Sequence, residues 1–128
     1  MYKIKILMAS FMLLFSVQAI SQPKTATASW YGGSFHGKKT ASGEVFNMNA
    51  MTTAHNSLPF GTVVKVSYKG KSVNVRVNDT GGFAKYGRQF DLSRGAARSI
   101  GCHGVCKIQY EIVSMGGGRK RKNTPKPQ

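Results

Sequence analysis

The sequence predicts a mainly β protein, a small closed barrel of short strands with one short helix. Three observations carry this. Val64, Val66 and Tyr68 alternate on one side of Lys69-Gly70, and Val73, Val75 and Val77 alternate on the other. Period-two alternation across a short Gly-containing loop is the mark of a β-hairpin. Further strand-like segments recur along the chain, separated by Gly- and Pro-containing turns, as in small barrels. Only Ser93 to Ile100 carries helix signals: a Ser to cap it, Gly101 to end it, and Leu92, Ala96, Ala97 and Ile100 on one face.

In order, Gln22 to Ala26 is a polar leader and Thr27 to Tyr31 a first strand ending in Gly32-Gly33. Ser34 to Asn49 is rich in Gly, Ser, Asn and Thr, mainly loop with a short strand at Val45-Phe46. Met51 to His55 is a short strand, and Leu58-Pro59-Phe60-Gly61 a turn. The hairpin strands are Thr62 to Tyr68 and Ser72 to Asn78, with Lys65, Asn74 and Arg76 on the faces toward solvent. Thr80 to Gly87 is a Gly-rich loop, Gln89 to Asp91 a short strand, and Lys107 to Val113 the last strand. Val64, Val66, Val73, Val75, Val77, Ile108, Tyr110 and Ile112 are the expected core. The barrel domain is expected over residues 22–115. Residues 116–128 read as a Gly linker and a disordered basic tail.

At 128 residues the chain has room for one domain. Its start pairs Lys3 and Lys5 with an apolar run from Ile6 to Val17, followed by the small residues Ala19 and Ser21. That reads as a secretory signal peptide over residues 1–21, cleaved after Ala19 or Ser21, and the apolar run is short for a membrane span. No Cys lies near either cleavage point, so no lipid anchor is expected. The expectation is an exported monomer, periplasmic or secreted. Nineteen Lys+Arg stand against four Asp+Glu, for a net charge of +15. Export removes most nucleic acid from reach, so the charge points instead to an anionic surface outside the cell, met by the tail. Four acids are too few for a carboxylate-rich metal site. Neither GxxxxGKS/T nor GxGxxG occurs, so no cofactor is expected. Cys102 and Cys106, the two cysteines, form a C-x3-C whose default in an exported chain is a disulfide. A zinc site needs about four ligands, and no second cluster accompanies His103.

Four segments recur together: Ala28-Ser29-Trp30-Tyr31-Gly32, Lys39-Thr40-Ala41-Ser42-Gly43-Glu44, Thr53 to Gly61 (TAHNSLPFG), and Val73 to Asp79 followed by Phe90-Asp91-Leu92-Ser93. In this order and spacing the chain resembles the rare lipoprotein A (RlpA-like) family of bacterial wall proteins, from about Ala28 to Val113. The resemblance implies a six-stranded double-psi β-barrel with a groove across one face. It implies peptidoglycan glycan strands as substrate and lytic transglycosylase chemistry. Expansin and barwin-like domains, some of them non-catalytic wall-loosening modules, share the barrel. The family commonly reads N-D-R-G-P after the hairpin, where this chain has Asn78-Asp79-Thr80-Gly81-Gly82. A basic group beside the groove is therefore expected to be missing.

Cleaving the MurNAc–GlcNAc bond requires a proton for the leaving oxygen. A hydrolase normally adds a second carboxylate, whereas a lytic transglycosylase lets the sugar's own C6 hydroxyl attack. One positioned acid that later serves as base then suffices. Asp91 matches the glycan-facing acid of the family, with Asp79 at the hairpin end as partner, and mutual repulsion would raise one pKa. Glu44 and His55 complete the catalytic candidates. Glu111 alternates out of its strand's apolar face and reads as a solvent-facing control. Thr40, Tyr31, Trp30 and Asn78 are the candidates for binding sugar, with adjacent Trp30 and Tyr31 on opposite faces of one strand.

Overall fold

A computed structural model describes residues 22–118. Residues 1–21, read above as a signal peptide, and the tail from Arg119 to Gln128 lie outside the described residues. Six strands form the barrel: β1 (Lys24–Tyr31), β2 (Thr52–Ala54), β3 (Val63–Tyr68), β4 (Lys71–Asp79), β5 (Phe90–Ser93) and β6 (Cys106–Ser114). One helix, α1 (Arg94–Ser99), follows β5. The sheet closes in the order β1-β5-β2-β4-β3-β6. β1 runs parallel to β5 and β2 parallel to β4, and the other neighbours are antiparallel. Two parallel pairs in a closed six-stranded barrel give the double-psi arrangement.

The hairpin turn has Lys69 at φ 46° and Gly70 at φ 81°. Two successive left-handed residues make the two-residue turn whose twist suits paired strands. Val64, Val66, Val75, Val77, Phe90, Leu92 and Ile108 fill the core, and Ala96, Ala97 and Ile100 close it from the helix side. Three expected core residues fall short. Val73 and Tyr110 are only partly buried and Ile112 is exposed. For Val73 and Ile112 the pairing explains this. β2 covers β4 only from Arg76 to Asp79, so Val73 has β3 alone beside it. β1 pairs with β6 only as far as Tyr110, so Ile112 has β3 alone.

Ser93 caps α1, its hydroxyl accepting from Ala96 N at 3.1 Å. The expected strand at Val45-Phe46 reduces to one bridge between Lys39 and Val45, with Phe46 buried beneath the loop. The Gly-rich loop contains a 3-10 turn, Gly82–Tyr86, ended by left-handed Gly87. The disulfide Cys102–Cys106 is formed, with Cα atoms 6.1 Å apart, and ties the end of α1 to the start of β6. The glycine run is docked rather than a free linker as far as Gly118. Gly116 N donates to Thr62 Oγ1 and Gly118 N to Phe60 O. A Cβ at Gly116 would lie 2.2 Å from Phe60 O, so only glycine allows this approach.

Candidate active site

The centre of the site is Ala54. β2 lies between β4 and β5, and Ala54 is the register partner of both Asp79 and Asp91. The two acids therefore leave the sheet at one level, on either side of Ala54. Both line a cleft of about 380 Å³ with Tyr31, Phe35, Phe83, Tyr86 and Arg88.

The two carboxylates are held differently. Asp79 accepts from Ala41 N and Thr80 N on Oδ1, both at 2.9 Å, and from the Tyr31 hydroxyl on Oδ2 at 3.2 Å. Tyr31 is pushed above the ordinary tyrosine range by burial and by Asp79, so it remains a donor. Asp91 receives one donor among the described residues, Ser29 Oγ at 2.8 Å. Burial raises its pKa, opposed by the Ser29 hydrogen bond and the Arg88 charge, while Asp79 adds a smaller upward push. Desolvation, more than repulsion between the acids, thus favours the protonated form of Asp91.

His55 lies in a neighbouring cleft of about 450 Å³, lined also by Phe83, Arg88 and Tyr110. Phe83 and Arg88 border both clefts, so the two form one groove. The His55 ring packs on Phe90 at 4.7 Å. Its Nδ1 accepts from Ser57 N and Leu58 N, which leaves the proton of the neutral ring on Nε2. Burial lowers its pKa, so it is neutral at pH 7.

Of the remaining candidates, Glu44, Asn78, Thr40 and Trp30 do not line the groove. Glu44 forms a bidentate pair with Arg76, at 2.6 and 2.9 Å, and accepts from Asn78 Nδ2 at 3.3 Å. The Arg76 hydrogen bonds hold its pKa below the usual carboxylate range, which suits an ion pair and not a proton donor. Asn78 is buried against that pair, with Oδ1 unpartnered. Thr40 is buried and its hydroxyl shares a hydrogen bond with Ser42 Oγ. Tyr31 does reach the cleft, but its ring stacks on Phe46 at 4.5 Å and meets Phe35 edge-on, leaving little face for a sugar. Trp30 is 40% exposed and outside the lining.

Sequence reasoning missed Arg88, Phe35 and Tyr86. The basic group expected to be absent is present, supplied by Arg88 three residues before Asp91 instead of from the 80–82 loop. Its Nε is buried without a partner, and its guanidinium lies 5.2 Å from the Tyr86 ring. Tyr86 and Phe35 are 67% and 50% exposed, and both border the acids. The legible signal was a basic residue just upstream of the Asp91 strand, with an aromatic beside it.

Comparison with known proteins bears on the family and the fold. A family model described as lytic transglycolase, of the double-psi β-barrel type, matches residues 24–110. A probable endolytic peptidoglycan transglycosylase RlpA from Synechocystis is 55% identical over 98 residues, covering 73% of this chain and 30% of that protein. The endolytic peptidoglycan transglycosylase RlpA of Campylobacter jejuni is 41% identical over 112 residues, covering 84% of this chain and 40% of the relative. The chain thus spans well under half the length of these relatives. Two solved structures share the fold at low identity. The Streptomyces papain inhibitor has a TM-score of 0.60 at 23% identity, covering 73% of this chain and 96% of its own. An expansin from Clavibacter michiganensis has a TM-score of 0.60 at 22%, covering 75% and 52%. The chain, on its motifs, its barrel and these matches, belongs to the RlpA-like double-psi β-barrel family.

Proposed function

We propose that this chain is an exported peptidoglycan lytic transglycosylase that cleaves the MurNAc–GlcNAc bond and leaves 1,6-anhydro-MurNAc ends. The observation that carries the reading is the placement of Asp91 and Asp79 across Ala54 in one groove, with a single donor on Asp91 and three on Asp79.

In this reading Asp91, whose protonated form burial favours, gives its proton to the GlcNAc O4 as the bond to MurNAc C1 breaks. The MurNAc C6 hydroxyl attacks C1, and the Asp91 carboxylate takes the hydroxyl proton. The acid is restored and no water is consumed. The Arg88 charge and the Ser29 hydroxyl stabilise the carboxylate between the two transfers. Asp79, its oxygens held by Tyr31, Ala41 and Thr80, is a fixed acceptor for sugar hydroxyls. His55 offers Nε2–H to the strand farther along the groove. Phe35 and Tyr86 present the exposed ring faces that sugars stack on, the part first expected of Trp30 and Tyr31. Glu44, through Arg76, steadies the loop whose Ala41 N holds Asp79. No helix among the described residues is long and apolar enough to cross a membrane.

Mass spectrometry of glycan strands after incubation with the purified chain separates the outcomes. Anhydro-sugar ends support the proposal, and reducing ends indicate a hydrolase. Retained binding without new ends favours a non-catalytic wall-loosening module, the reading that the Thr80-Gly81-Gly82 sequence prompts.

A further inference from the structure

We infer that the outer face of the β3-β4 hairpin holds a second binding site, for a phosphodiester polymer. Lys65, Lys69, Lys71 and Lys107 line a cleft of about 530 Å³ together with Ser67, Ser72 and Gln109. The sheet explains the cluster. Lys65 and Ser67 alternate with buried Val64 and Val66, and Lys107 and Gln109 flank buried Ile108, so all four point outward. Ser67 is the register partner of both Ser72 and Gln109, which brings three strands under one opening. The left-handed Lys69-Gly70 turn adds Lys69 and Lys71 at its tip.

These cations have no carboxylate of their own. Among the described residues the one ion pair is Arg76–Glu44. All four acids of the chain are described, and three of them, Glu44, Asp79 and Asp91, sit elsewhere. Glu111, the register partner of Lys65, is outside the cleft lining and beyond ion-pair distance. Four cations gathered with one neighbouring carboxylate, Glu111 opposite Lys65, leave an excess of positive charge that raises the local potential and attracts an anion.

The donor set selects the anion. A planar carboxylate suits the arginine fork, whereas ammonium groups act as point charges that converge on a phosphate from several directions. Here there are four lysines, three hydroxyls and an amide, and no arginine. The opening is concave and polar, with Tyr68 as its one aromatic, which fits a flexible phosphate-bearing chain better than a membrane face. The site lies far from the acids: Lys71 and Asp79 begin and end β4, about 26 Å apart at about 3.3 Å per residue. A polymer held here leaves the groove open, and the cleft is built from strand and turn residues.

The test compares two charge-matched triple variants of the purified chain, both retaining the tail. One is Lys69→Gln/Lys71→Gln/Lys107→Gln and the other Lys24→Gln/Lys39→Gln/Arg98→Gln, at exposed positions outside the cleft. Thermal denaturation establishes that each is folded. Affinity is measured for poly(glycerol phosphate), for polyglutamate of similar charge, and for vesicles of phosphatidylglycerol. The cleft triple should lose tenfold or more in affinity for poly(glycerol phosphate) at low salt, a difference that shrinks as salt rises. The control triple should lose less than threefold. Equal losses in the two triples, equal wild-type affinity for polyglutamate, or tighter binding to the vesicles than to the polymer would overturn the inference. Glycan cleavage is not part of the readout, so the result stands apart from the catalytic proposal.

Discussion

Ser93 joins β5, the strand that carries Asp91, to the helix, and Ser93→Ala tests that junction. Its side chain is fully buried. It accepts from Ala96 N to cap α1, and donates to Ala50 O. Losing an N-cap costs about 1 kcal/mol. Ala50 O keeps a second donor, Thr52 N at 3.0 Å, so losing the other bond costs about 1 kcal/mol more instead of a full burial penalty. The expected loss is about 2 kcal/mol. For a domain this size, that is a fall in melting temperature of about 10 °C. Urea and thermal denaturation measure it. Ser99→Ala, which removes an exposed hydroxyl bonded to Ala96 O, is the control and should cost under about 0.5 kcal/mol. Asp91 lies two residues upstream on the same strand, so cleavage by Ser93→Ala should fall more steeply with temperature than that of wild type. A loss below about 0.5 kcal/mol would refute the reasoning, because neither hydrogen bond would then matter.

Three other outcomes are expected. If Asp91 is the general acid proposed above, the cleavage rate should fall as pH rises through its raised pKa. Ser29→Ala removes a bond that favours the carboxylate and should move that limb to higher pH, while Asp79→Asn removes a repelling charge and should move it lower; an unmoved limb in both would remove Asp91 from the role. The same raised pKa means that ionised Asp91 opposes folding. Denaturation in buffers of increasing pH should therefore show stability falling between the ordinary carboxylate range and the Asp91 pKa, a slope absent in Asp91→Asn. Reducing Cys102–Cys106 opens a loop with a sequence separation of 4 and should cost about 2 kcal/mol by chain entropy, leaving the barrel's circular dichroism intact.

The hairpin, the helix with its Ser93 cap and the Cys102–Cys106 pair were legible because each rests on local pattern: alternation, a capping residue, a short spacing. What escaped depends on pairing between distant strands. Ile112 alternates perfectly yet is exposed, because β1 stops pairing with β6 at Tyr110. Gly116 and Gly118 look like any linker until Phe60 and Thr62 come against them. The site divides in the same way. Asp79 and Asp91 were placed by motif, and their meeting across Ala54 is a property of barrel closure. Glu44 belongs to the same motifs, but Arg76, 32 residues away, holds it in an ion pair. Arg88 and Tyr86 carry no motif, and only the groove gives them significance.

The most direct test of the catalytic assignment is mass spectrometry of glycan ends produced by wild type, Asp91→Asn and the control Glu111→Gln, with each protein also scored for binding to the same sacculi. A general acid contributes about 10²–10⁴-fold. Wild type and Glu111→Gln should release anhydro-MurNAc ends at equal rates, and Asp91→Asn should be slower by about that factor with binding nearly unchanged. Undiminished release of anhydro ends by Asp91→Asn would contradict the account.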